Sequence, residues 1–310
     1  MKVEVETGSR LHGGFYYIGG DWSVKWAGLG FYVDTPSFRA TVTEASEPCV
    51  EGPEYVKELA SRASRVAGVE GFCVKVHEHI PYHMGFGAGT QVLLSLYRAF
   101  QVLKGEEVSS AADASVRLGR ASVSAVGTLL FERGGFVMDV GLPGRPEALV
   151  RLEVPEEWRF LIVVPEGVGR GLTDEEEERV FSSPWSASES ALGFMAMGAL
   201  RLASGIARRD LNDVLEGLRF VQRGTGFYFS RVQGGIYRGP LNDFVAEAWR
   251  NRIVLAQSSW GPALYTIVEG DREAEWDAVL LKEILSEVGM KGEVIVARPR
   301  NRGATVRPAA

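Results

Sequence analysis

The feature that most constrains this chain is the stretch IPYHMGFGAGTQ at 80–91, which places Gly85, Gly87 and Gly89 within five residues. An apolar helical pattern follows it directly. Glycine removes the side chain, so backbone N–H groups can touch a ligand, and a helix that begins just behind them adds the positive end of its dipole. The pattern therefore favours a phosphate-binding loop, although a lone GxGxG is also typical of ordinary turns.

The glycine stretch differs from two widespread phosphate loops. No Lys-Ser/Thr pair follows the glycines, as a Walker loop requires. It also fits a dinucleotide-binding fingerprint poorly, because no acidic residue ends a second strand about 20 residues later. The flanking residues must come from another kind of loop.

The bulk properties of the chain limit its class. A length of 310 residues suffices for two domains, and a net charge of -6 argues against a nucleic-acid scaffold. The N-terminus lacks the apolar core of a signal peptide, and no run has the length of a membrane span. We therefore expect a cytoplasmic protein without membrane contact. Cys49 and Cys73 show no Cys-x-x-Cys spacing and are expected to be ordinary reduced residues in unrelated contexts.

Strand and helix patterns alternate along the chain, and their order in the second half predicts an α+β sandwich. Period-two patterns and apolar runs predict strands over 2–6, 38–43, 71–77, 134–141, 160–165, 264–270 and 293–298. Helical stripes are predicted over 54–67, 92–103, 113–130 with a break near Gly119 or Gly127, from a Ser186/Glu189 capping box to about 203, from an Asp210 cap to 221, and over 273–288.

Five stretches, in chain order, resemble one known family. Pro81 and the run 85–90 are similar to the phosphate loop P-x3-GLGSS of the GHMP superfamily of small-molecule kinases. His83 and Gln91 mark a narrower variant of that loop. The others are SRLH at 9–12, FERGGFVMDVG at 131–141, QSSWGPALY at 257–265 and ARPRNRGATV at 297–306. Together they resemble the β-ribofuranosylaminobenzene 5′-phosphate synthase family of methanopterin biosynthesis, over nearly the whole chain.

This resemblance implies a two-domain, GHMP-kinase-like α+β fold. An N-terminal β/α domain with the phosphate loop is expected over residues 1–157, and a ferredoxin-like α/β sandwich over 158–310. The phosphate site is expected at the interface of the two, and the protein is expected to be a homodimer.

The implied reaction condenses phosphoribosyl pyrophosphate with a 4-aminobenzoate-type aromatic acid. Carbon dioxide and pyrophosphate leave. Stabilising the departing pyrophosphate suits a helix N-terminus, and Mg²⁺ or a similar divalent cation is expected as cofactor. Magnesium held mainly by phosphates needs only one or two protein carboxylates.

Two alternatives stay open. Many GHMP kinases carry an S-G-x-D motif whose Asp acts on the hydroxyl that attacks ATP. Here Ser124 begins the corresponding stretch, and Gly127 stands at the carboxylate position. A glycine cannot accept a proton, which weakens the ATP-dependent kinase hypothesis without removing it. The second alternative is a non-catalytic paralogue that binds a phosphosugar or nucleotide.

The candidate site residues fall into four groups. They are Arg10, His12, Asp21 and Lys25 for catalysis; His83, Gly85, Gly87, Ala88, Gly89, Thr90 and Gln91 for phosphate binding; Ser124, Ser258, Ser259 and Asn301 for substrate binding; and Asp139 as either a buried cap or a magnesium ligand.

Other features have two interpretations each. The loop at 13–30 departs from the family pattern, but Trp22 and Trp26 flank Asp21 and Lys25 and are suited to stacking an aromatic substrate. The acidic run 174–178 is either a solvated first helical turn or brings one carboxylate to the site. Arg298, Arg300 and Arg302 are either a phosphate clamp or a soluble tail. His77, His79 and His83 form an incomplete set of metal ligands.

Overall fold

The computed structural model describes residues 1–17, 26–120, 123–142, 144–182 and 188–309, which form eleven strands and nine helices. The strands are β1 (Lys2–Tyr17), β2 (Trp26–Glu44), β3 (Cys49–Glu51), β4 (Phe72–Glu78), β5 (Phe136–Asp139), β6 (Ala148–Leu152), β7 (Trp158–Pro165), β8 (Ala256–Gln257), β9 (Leu264–Glu269), β10 (Gly292–Ala297) and β11 (Thr305–Pro308). The helices are α1 (Glu54–Ala67), α2 (Ala88–Leu103), α3 (Ala111–Arg117), α4 (Val126–Arg133), α5 (Asp174–Ser182), α6 (Glu189–Arg208), α7 (Leu211–Gln233), α8 (Leu241–Arg250) and α9 (Asp271–Glu287).

A seven-stranded sheet forms around the long hairpin of β1 and β2. Its register runs from Lys2 opposite Thr43 to Tyr17 opposite Trp26. The main path of the sheet is β11-β1-β2-β4-β3, and β5 and β6 extend it from the outer part of β2. Strands β3 and β4 run parallel, with α1 as their crossover helix. The hairpin places the outer half of β1 against the second half of the chain.

The second sheet has the order β10-β7-β9-β8, and its neighbouring strands are antiparallel. Numbered along the chain, these strands lie in the order fourth, first, third, second. That is the arrangement of a ferredoxin-like sandwich. The predicted fold class, an α+β fold with a C-terminal sandwich of this type, is confirmed.

One hydrophobic core joins the two sheets. The ring of Phe31 on β2 lies 5.2 Å from that of Phe160 on β7 and 6.3 Å from that of Tyr265 on β9, between centroids. Strand β7, the first strand of the second sheet along the chain, begins at Trp158. The domain boundary predicted after residue 157 therefore lies just before this sheet begins. The last strand, β11, nevertheless returns to pair with β1, so the first sheet contains both the first and the last strand.

Local signals explain where several helices begin and end. Helix α1 ends before Gly68, which adopts the left-handed conformation at φ 65°. Asp210 caps α7 by accepting from the N–H of Asp213, as predicted. Helix α6 is capped by Ser188, which accepts from the N–H of Ala191, so Glu189 is the first helical residue rather than part of a capping box. Ser186 lies outside the described residues.

The sequence patterns underestimate some elements and merge others. Strands β1 and β2 continue far beyond residues 2–6 and 38–43, because their outer halves pair with each other. Much of the predicted loop at 13–30 is therefore strand. The predicted helix over 113–130 is two helices, α3 and α4, interrupted after Gly119 at φ 63°. Helix α8 was not predicted.

Helix α6 is long and apolar enough, by length and composition, to cross a membrane. The expectation that no segment has this length is therefore wrong. However, α6 packs along α7 so closely that a Cβ on Gly198 would lie 2.6 Å from the backbone N of Val221. Met195 and Leu202 are fully buried in the core. One face of helix α6 is thus part of the hydrophobic core.

The β3–α1–β4 unit brings the two cysteines together. Cys49 and Cys73 are direct partners in the parallel register of β3 and β4. The expectation of unrelated contexts is wrong, because the crossover helix returns the chain beside the strand it left. Among the described residues, one group of three potential metal ligands lies close together, Cys49, Glu51 and Cys73. The histidines at 77, 79 and 83 do not form one.

Candidate active site

The glycine stretch connects β4 to α2 and turns its backbone toward a cavity. Gly85 and Gly87 adopt φ values of 102° and 70°, which side-chain-bearing residues rarely take. The Gly87 carbonyl accepts from the N–H groups of Thr90 and Gln91, at 3.1 Å each. The N–H groups of Ala88 and Gly89, in the first turn of α2, have no partner within the helix. That turn carries no acidic residue, so it presents a positive end to an anion.

Segments from the second half of the chain buttress this loop. A Cβ on Gly261 would lie 2.2 Å from the N of Gly85, so the two backbones are in direct contact. The N–H of Ala263 donates to the Met84 carbonyl at 3.1 Å, and that of Gly171 to the His83 carbonyl at 2.7 Å. His83, at φ 58°, lines this cavity, and its predicted role in phosphate binding stays a prediction. The loop is therefore fixed by contacts with two segments of the second half of the chain, one at Gly171 and one at 261–263.

Arg10 lies under the glycine loop. Its backbone N–H donates to the Phe86 carbonyl at 2.9 Å, and its Nη1 donates to the Gly85 carbonyl at 3.3 Å. Its Nε is sealed from solvent and has no hydrogen-bond partner among the described residues. Burial lowers the pKa of Arg10 to about 10, and the positive charge of Arg120 acts in the same direction. The guanidinium stays charged at neutral pH, so it favours an anion in the adjacent cavity.

Arg120 supplies a second cation that the sequence predictions did not assign to the site. Its Nε and Nη2 lie 3.3 and 3.1 Å from the hydroxyl oxygen of Thr90, to which they donate. Arg120 and Arg10 line both cavities beside the loop. The signal in the sequence was the arginine in the GRAS stretch at 119–122, but its distance from α2 in the fold cannot be read from the spacing.

Glu177 of α5 lines the same two cavities, and Glu178 lines the one beside Thr90. The indole Nε1 of Trp260 donates to Glu177 Oε1 at 2.9 Å. The negative charge of Glu177 also acts to raise the pKa of Arg10. Of the two interpretations of the acidic run, the structure favours the one that brings a carboxylate to the site.

A buried chain of hydrogen bonds runs behind the loop. The N–H of Gly14 donates to His12 Nδ1 at 3.1 Å, which leaves the proton on Nε2. His12 Nε2 then lies 3.4 Å from Ser124 Oγ, and Ser124 Oγ donates to Asp139 Oδ2 at 3.2 Å. Burial, and secondarily Arg10, lowers the pKa of His12 well below its usual range. His12 is thus a neutral donor.

Asp139 is a buried anchor in this structure. Its Oδ1 accepts from the N–H groups of Gly28 and Gly141, and its Oδ2 accepts from Ala125 N–H and Ser124 Oγ. Burial raises the pKa of Asp139, while these four hydrogen bonds oppose the shift. Of the two roles considered, the geometry supports the buried cap rather than the magnesium ligand, because both oxygens are already occupied.

A third cavity, lined by aromatic rings, adjoins the anion cavities. Phe15, Phe229 and Trp260 form its apolar wall, and the Phe229 and Trp260 rings lie 4.7 Å apart in an edge-to-face arrangement. Trp26 packs on this aromatic cluster, with its ring 4.5 Å from that of Tyr228. His12 belongs to both this cavity and the one beside Thr90.

Ser259 stands where the three cavities meet, because it lines each of them. Its backbone is left-handed at φ 56°, an uncommon conformation for a residue with a side chain. Such a conformation often marks a functional position. The predicted substrate-binding role of Ser259 therefore agrees with its location.

Gln91, Ser258 and Asn301 were predicted to bind phosphate or substrate and have structural roles instead. Gln91 is buried and points away from the cavity, accepting from Thr7 and donating to the Gly127 carbonyl. Ser258 is buried and ties two backbones together, accepting from the His12 N–H and donating to the Gly85 carbonyl at 2.6 Å. It thus supports the glycine loop.

Asn301 lies outside the three cavities. Its side chain accepts from the N–H of Val154 and donates to the Val154 carbonyl, both at 2.8 Å. It therefore clamps the segment before β7 rather than contacting substrate. Arg300 is also no phosphate clamp, because it is buried in an ion pair with Glu6 on β1.

Asp21, Lys25 and Trp22 lie outside the described residues. The flanking residues Tyr17 and Trp26 are the last pair of the β1–β2 hairpin. Their rings lie 5.2 Å apart. Trp26 places this end of the hairpin at the aromatic cluster.

Comparison with known proteins identifies relatives over the full length of the chain. No protein-family model matches it. It is 25% identical to the β-ribofuranosylphenol 5′-phosphate synthase of Methanothermobacter thermautotrophicus, over 98% of each chain. It is 24% identical to the synthase of the same name from Archaeoglobus fulgidus, over 98% of this chain and 99% of that one.

Solved structures share the fold. Homoserine kinase from Cytophaga hutchinsonii superposes with a TM-score of 0.69 and 15% identity, covering 98% of this chain and 97% of that one. Mevalonate pyrophosphate decarboxylase from Streptococcus pyogenes gives a TM-score of 0.67 and 10% identity, covering 97% of each. At this identity the likeness shows a GHMP-kinase-like fold alone.

Proposed function

We propose that this chain, a divergent member of the β-ribofuranosylphenol 5′-phosphate synthase family, condenses phosphoribosyl pyrophosphate with an aromatic acid and releases pyrophosphate and carbon dioxide. The names of the curated relatives state their product, a β-ribofuranosylphenol 5′-phosphate. The observation that carries the proposal is that two unlike cavities share lining residues. An anion-binding end and an aromatic end meet at His12 and Ser259.

The anion end suits a diphosphate leaving group. The N-terminus of α2 offers backbone N–H groups, Arg10 offers a buried cation with an unpartnered Nε, and Arg120 offers a second cation next to Thr90. As the anomeric C–O bond breaks, negative charge accumulates on the pyrophosphate. Donors fixed before the reaction stabilise that charge without reorganising.

The aromatic end suits a flat acceptor ring. Phe15, Phe229 and Trp260 offer ring surfaces to such an acceptor, and the cavity, about 30 Å³ in this structure, must widen to admit it. The curated relatives are named for a phenol, whereas the sequence resemblance implied an aminobenzene. We therefore propose a benzoate with a para hydroxyl or amino group as the acceptor, bonded at the ring carbon that loses carbon dioxide.

His12 and Ser124 connect the two ends. Because His12 stays neutral and carries its proton on Nε2, it acts as a fixed donor and not as a base. Through Ser124 it is oriented by the anchored Asp139. The hydrogen bonds from Asp139 through Ser124 to His12 fix the His12 side chain between the two cavities, where the new bond forms.

A divalent cation such as Mg²⁺ is part of the proposal. Glu177 and Glu178 line the cavity that also contains Thr90 and Arg120. One or two carboxylates suffice for an ion bound mainly by phosphate oxygens, so these donors fit. Such an ion would neutralise charge on the pyrophosphate.

The kinase alternative has less support. Gly127 lines the cavity beside Thr90, where a GHMP kinase of the S-G-x-D type would place its carboxylate. A Cβ there would lie 3.4 Å from the Thr90 methyl group, an ordinary van der Waals contact, so the carboxylate is missing because of the residue type and not for want of room. His12 does not replace it as a general base, because both of its ring nitrogens are engaged.

The deciding experiment combines binding and turnover. Calorimetric titration of the full chain with phosphoribosyl pyrophosphate and, separately, with ATP, each with Mg²⁺, should show binding of the first and none of the second. Carboxyl-labelled 4-hydroxybenzoate and 4-aminobenzoate should then release labelled carbon dioxide only when phosphoribosyl pyrophosphate is present. ATP binding with ADP formation on a hydroxyl acceptor would contradict the synthase, and binding without any turnover would favour the non-catalytic paralogue.

We further propose a cytoplasmic homodimer. Exposed apolar side chains on α6 and α7, among them Leu200 at 70% and Phe227 at 43% exposure, provide surface for a second copy. Light scattering on the purified protein should give twice the monomer mass of 33.9 kDa. A monomer at micromolar concentration would contradict the dimer.

A further inference from the structure

The two cysteines of this chain lie at the edge of the first sheet, away from the cavities described above. Cys49 on β3 and Cys73 on β4 are register partners, and Glu51 lies two residues after Cys49 on the same strand. Side chains two residues apart on a strand point to the same face. The two sulfurs and a Glu51 carboxylate oxygen all lie within 4.8 Å of one another.

These three ligand atoms match the needs of a thiophilic cation. Zinc binds thiolate sulfur at about 2.3 Å and carboxylate oxygen at about 2.0–2.2 Å, so tetrahedral neighbours lie roughly 3.5–3.8 Å apart. That spacing is within the range that the cluster already has. Cys49 and Glu51 are exposed and Cys73 is half-buried, so the ion can enter and a water can complete the tetrahedron.

A disulfide fits this geometry less well. Neighbouring strands lie about 4.7–4.9 Å apart. That spacing falls inside the range of about 4.4–6.8 Å between Cα atoms that a disulfide spans, so backbone spacing does not separate a disulfide from an ion site. The third donor does separate them, because a disulfide uses only the two sulfurs. The presence of Glu51 beside both sulfurs is also relevant to an ion and irrelevant to a disulfide.

We propose that Cys49, Cys73 and Glu51 form a binding site for a thiophilic divalent cation of the zinc class, with water as the fourth ligand. The ion would clip the edge strand β3 to β4. Strand β4 ends at Glu78, directly before the glycine loop, so the clip stabilises the strand from which that loop departs. The site is independent of the proposed reaction.

Two features of the neighbourhood set how the site responds. Lys75 Nζ lies 3.5 Å from Glu51 Oε2, so a bound cation must compete with Lys75 for this carboxylate. The contact with the Cys49 thiol, helped by burial, raises the pKa of Cys73 to about 11. The Cys73 thiol is therefore protonated at neutral pH, and metal binding must release its proton.

The test is a titration of the reduced full chain with Co²⁺, whose thiolate complexes absorb in the near ultraviolet, followed by displacement with Zn²⁺. One Co²⁺ per chain with a sulfur-to-metal charge-transfer band is expected. The band should vanish in Cys49→Ser and in Cys73→Ser. Zn²⁺ affinity should fall on the order of 100-fold in each, and roughly 10-fold in Glu51→Gln.

Matched variants separate this site from surface binding. Glu47→Gln removes an exposed carboxylate just before β3 and should leave the affinity unchanged. Lys75→Met removes the competitor and should raise the affinity. The proposal is overturned if the wild-type chain gives no thiolate band, or if the band survives in Cys73→Ser. It is also overturned if a low-molecular-weight disulfide readily oxidises both thiols to Cys49–Cys73 in the presence of saturating Zn²⁺.

Discussion

Arg120 donates to the hydroxyl oxygen of Thr90 from Nε at 3.3 Å and from Nη2 at 3.1 Å, across the first turn of α2. A cation is thereby held beside the helix end that already attracts anions. Arg10 approaches the glycine loop from β1, so the two guanidinium groups flank the same backbone N–H groups. The arrangement is suited to two linked phosphates.

Replacing Arg120 by Met should weaken phosphoribosyl pyrophosphate binding by about 10- to 100-fold, because a charge-assisted contact to phosphate is lost. Arg117→Met is the matched control, since Arg117 is exposed on α3 and lines none of the three site cavities. Calorimetry on both variants measures the difference. Equal affinities in the two variants would remove Arg120 from the site.

Arg10→Met should abolish binding of inorganic pyrophosphate without lowering thermal stability. Arg10 and Arg98 both have a buried, unpartnered Nε, but the buried charge of Arg10 forms no ion pair among the described residues, so its removal relieves desolvation. Arg98→Met is the contrasting control. Arg98 pairs with Glu132 and lies over the Phe131 ring, so its loss should lower the melting temperature and preserve binding. Thermal unfolding with and without pyrophosphate gives both quantities, and a large loss of stability in Arg10→Met would contradict this assignment.

Gly87→Ala should destabilise the protein by roughly 1–2 kcal/mol from backbone strain and by more from crowding. Gly87 has φ 70°, and an added Cβ would lie 3.0 Å from Arg10 Nε. Gly105→Ala is a matched control, because Gly105 has φ 69° with no atom within 4 Å of an added Cβ. The difference between the two variants in urea unfolding isolates the crowding. If they are equally destabilised, the close approach of Arg10 to the loop is wrong.

Stability should decline as the pH falls below the ordinary His pKa of about 6.5. The pKa of His12 is lowered in the folded state, so below this pH the unfolded chain binds a proton that the folded chain does not. The contribution of this residue to the slope can reach about 1.4 kcal/mol per pH unit. Urea unfolding between about pH 7.5 and 5 should show a smaller slope for His12→Gln than for the wild type. An unchanged slope would mean that His12 is not held neutral.

Asn301→Ala should lower the free energy of unfolding by about 1–3 kcal/mol, because both polar groups of the Val154 backbone lose their partner. Turnover per folded molecule should stay unchanged, since Asn301 lies outside the three cavities. Steady-state assays at a temperature where the variant is fully folded separate the two effects. A selective rise in KM would restore the substrate-binding role expected from the sequence.

The sequence predicted features that depend on local patterns. The boundaries of α1 follow from its apolar stripe and Gly68, and the loop that precedes α2 follows from glycine spacing before an apolar helix. The ferredoxin-like sandwich came from family resemblance and from the order of elements. These are properties that neighbouring residues largely determine.

The predictions failed where distant segments meet. The outer halves of β1 and β2 carry aromatic and glycine residues that do not alternate cleanly, and they are strands because they pair with each other. Gln91 follows the glycines in sequence, but the turn of α2 points its amide to Thr7 and Gly127. Cys49 and Cys73 are 24 positions apart, and only the return path of the chain through α1 makes them neighbours.

The pairing of β11 with β1 has a consequence for the order of assembly. Val3 lies opposite Pro308, so one edge of β1 stays unpaired until a segment some 300 residues further along the chain has been synthesised. Arg10 and His12 are carried by this same strand. During synthesis β1 therefore presents an open edge that invites pairing with other chains. Strand β11 covers only residues 3–6 of β1, so the part that carries Arg10 and His12 is paired through β2, whereas the inner end of the strand stays an open edge until β11 docks.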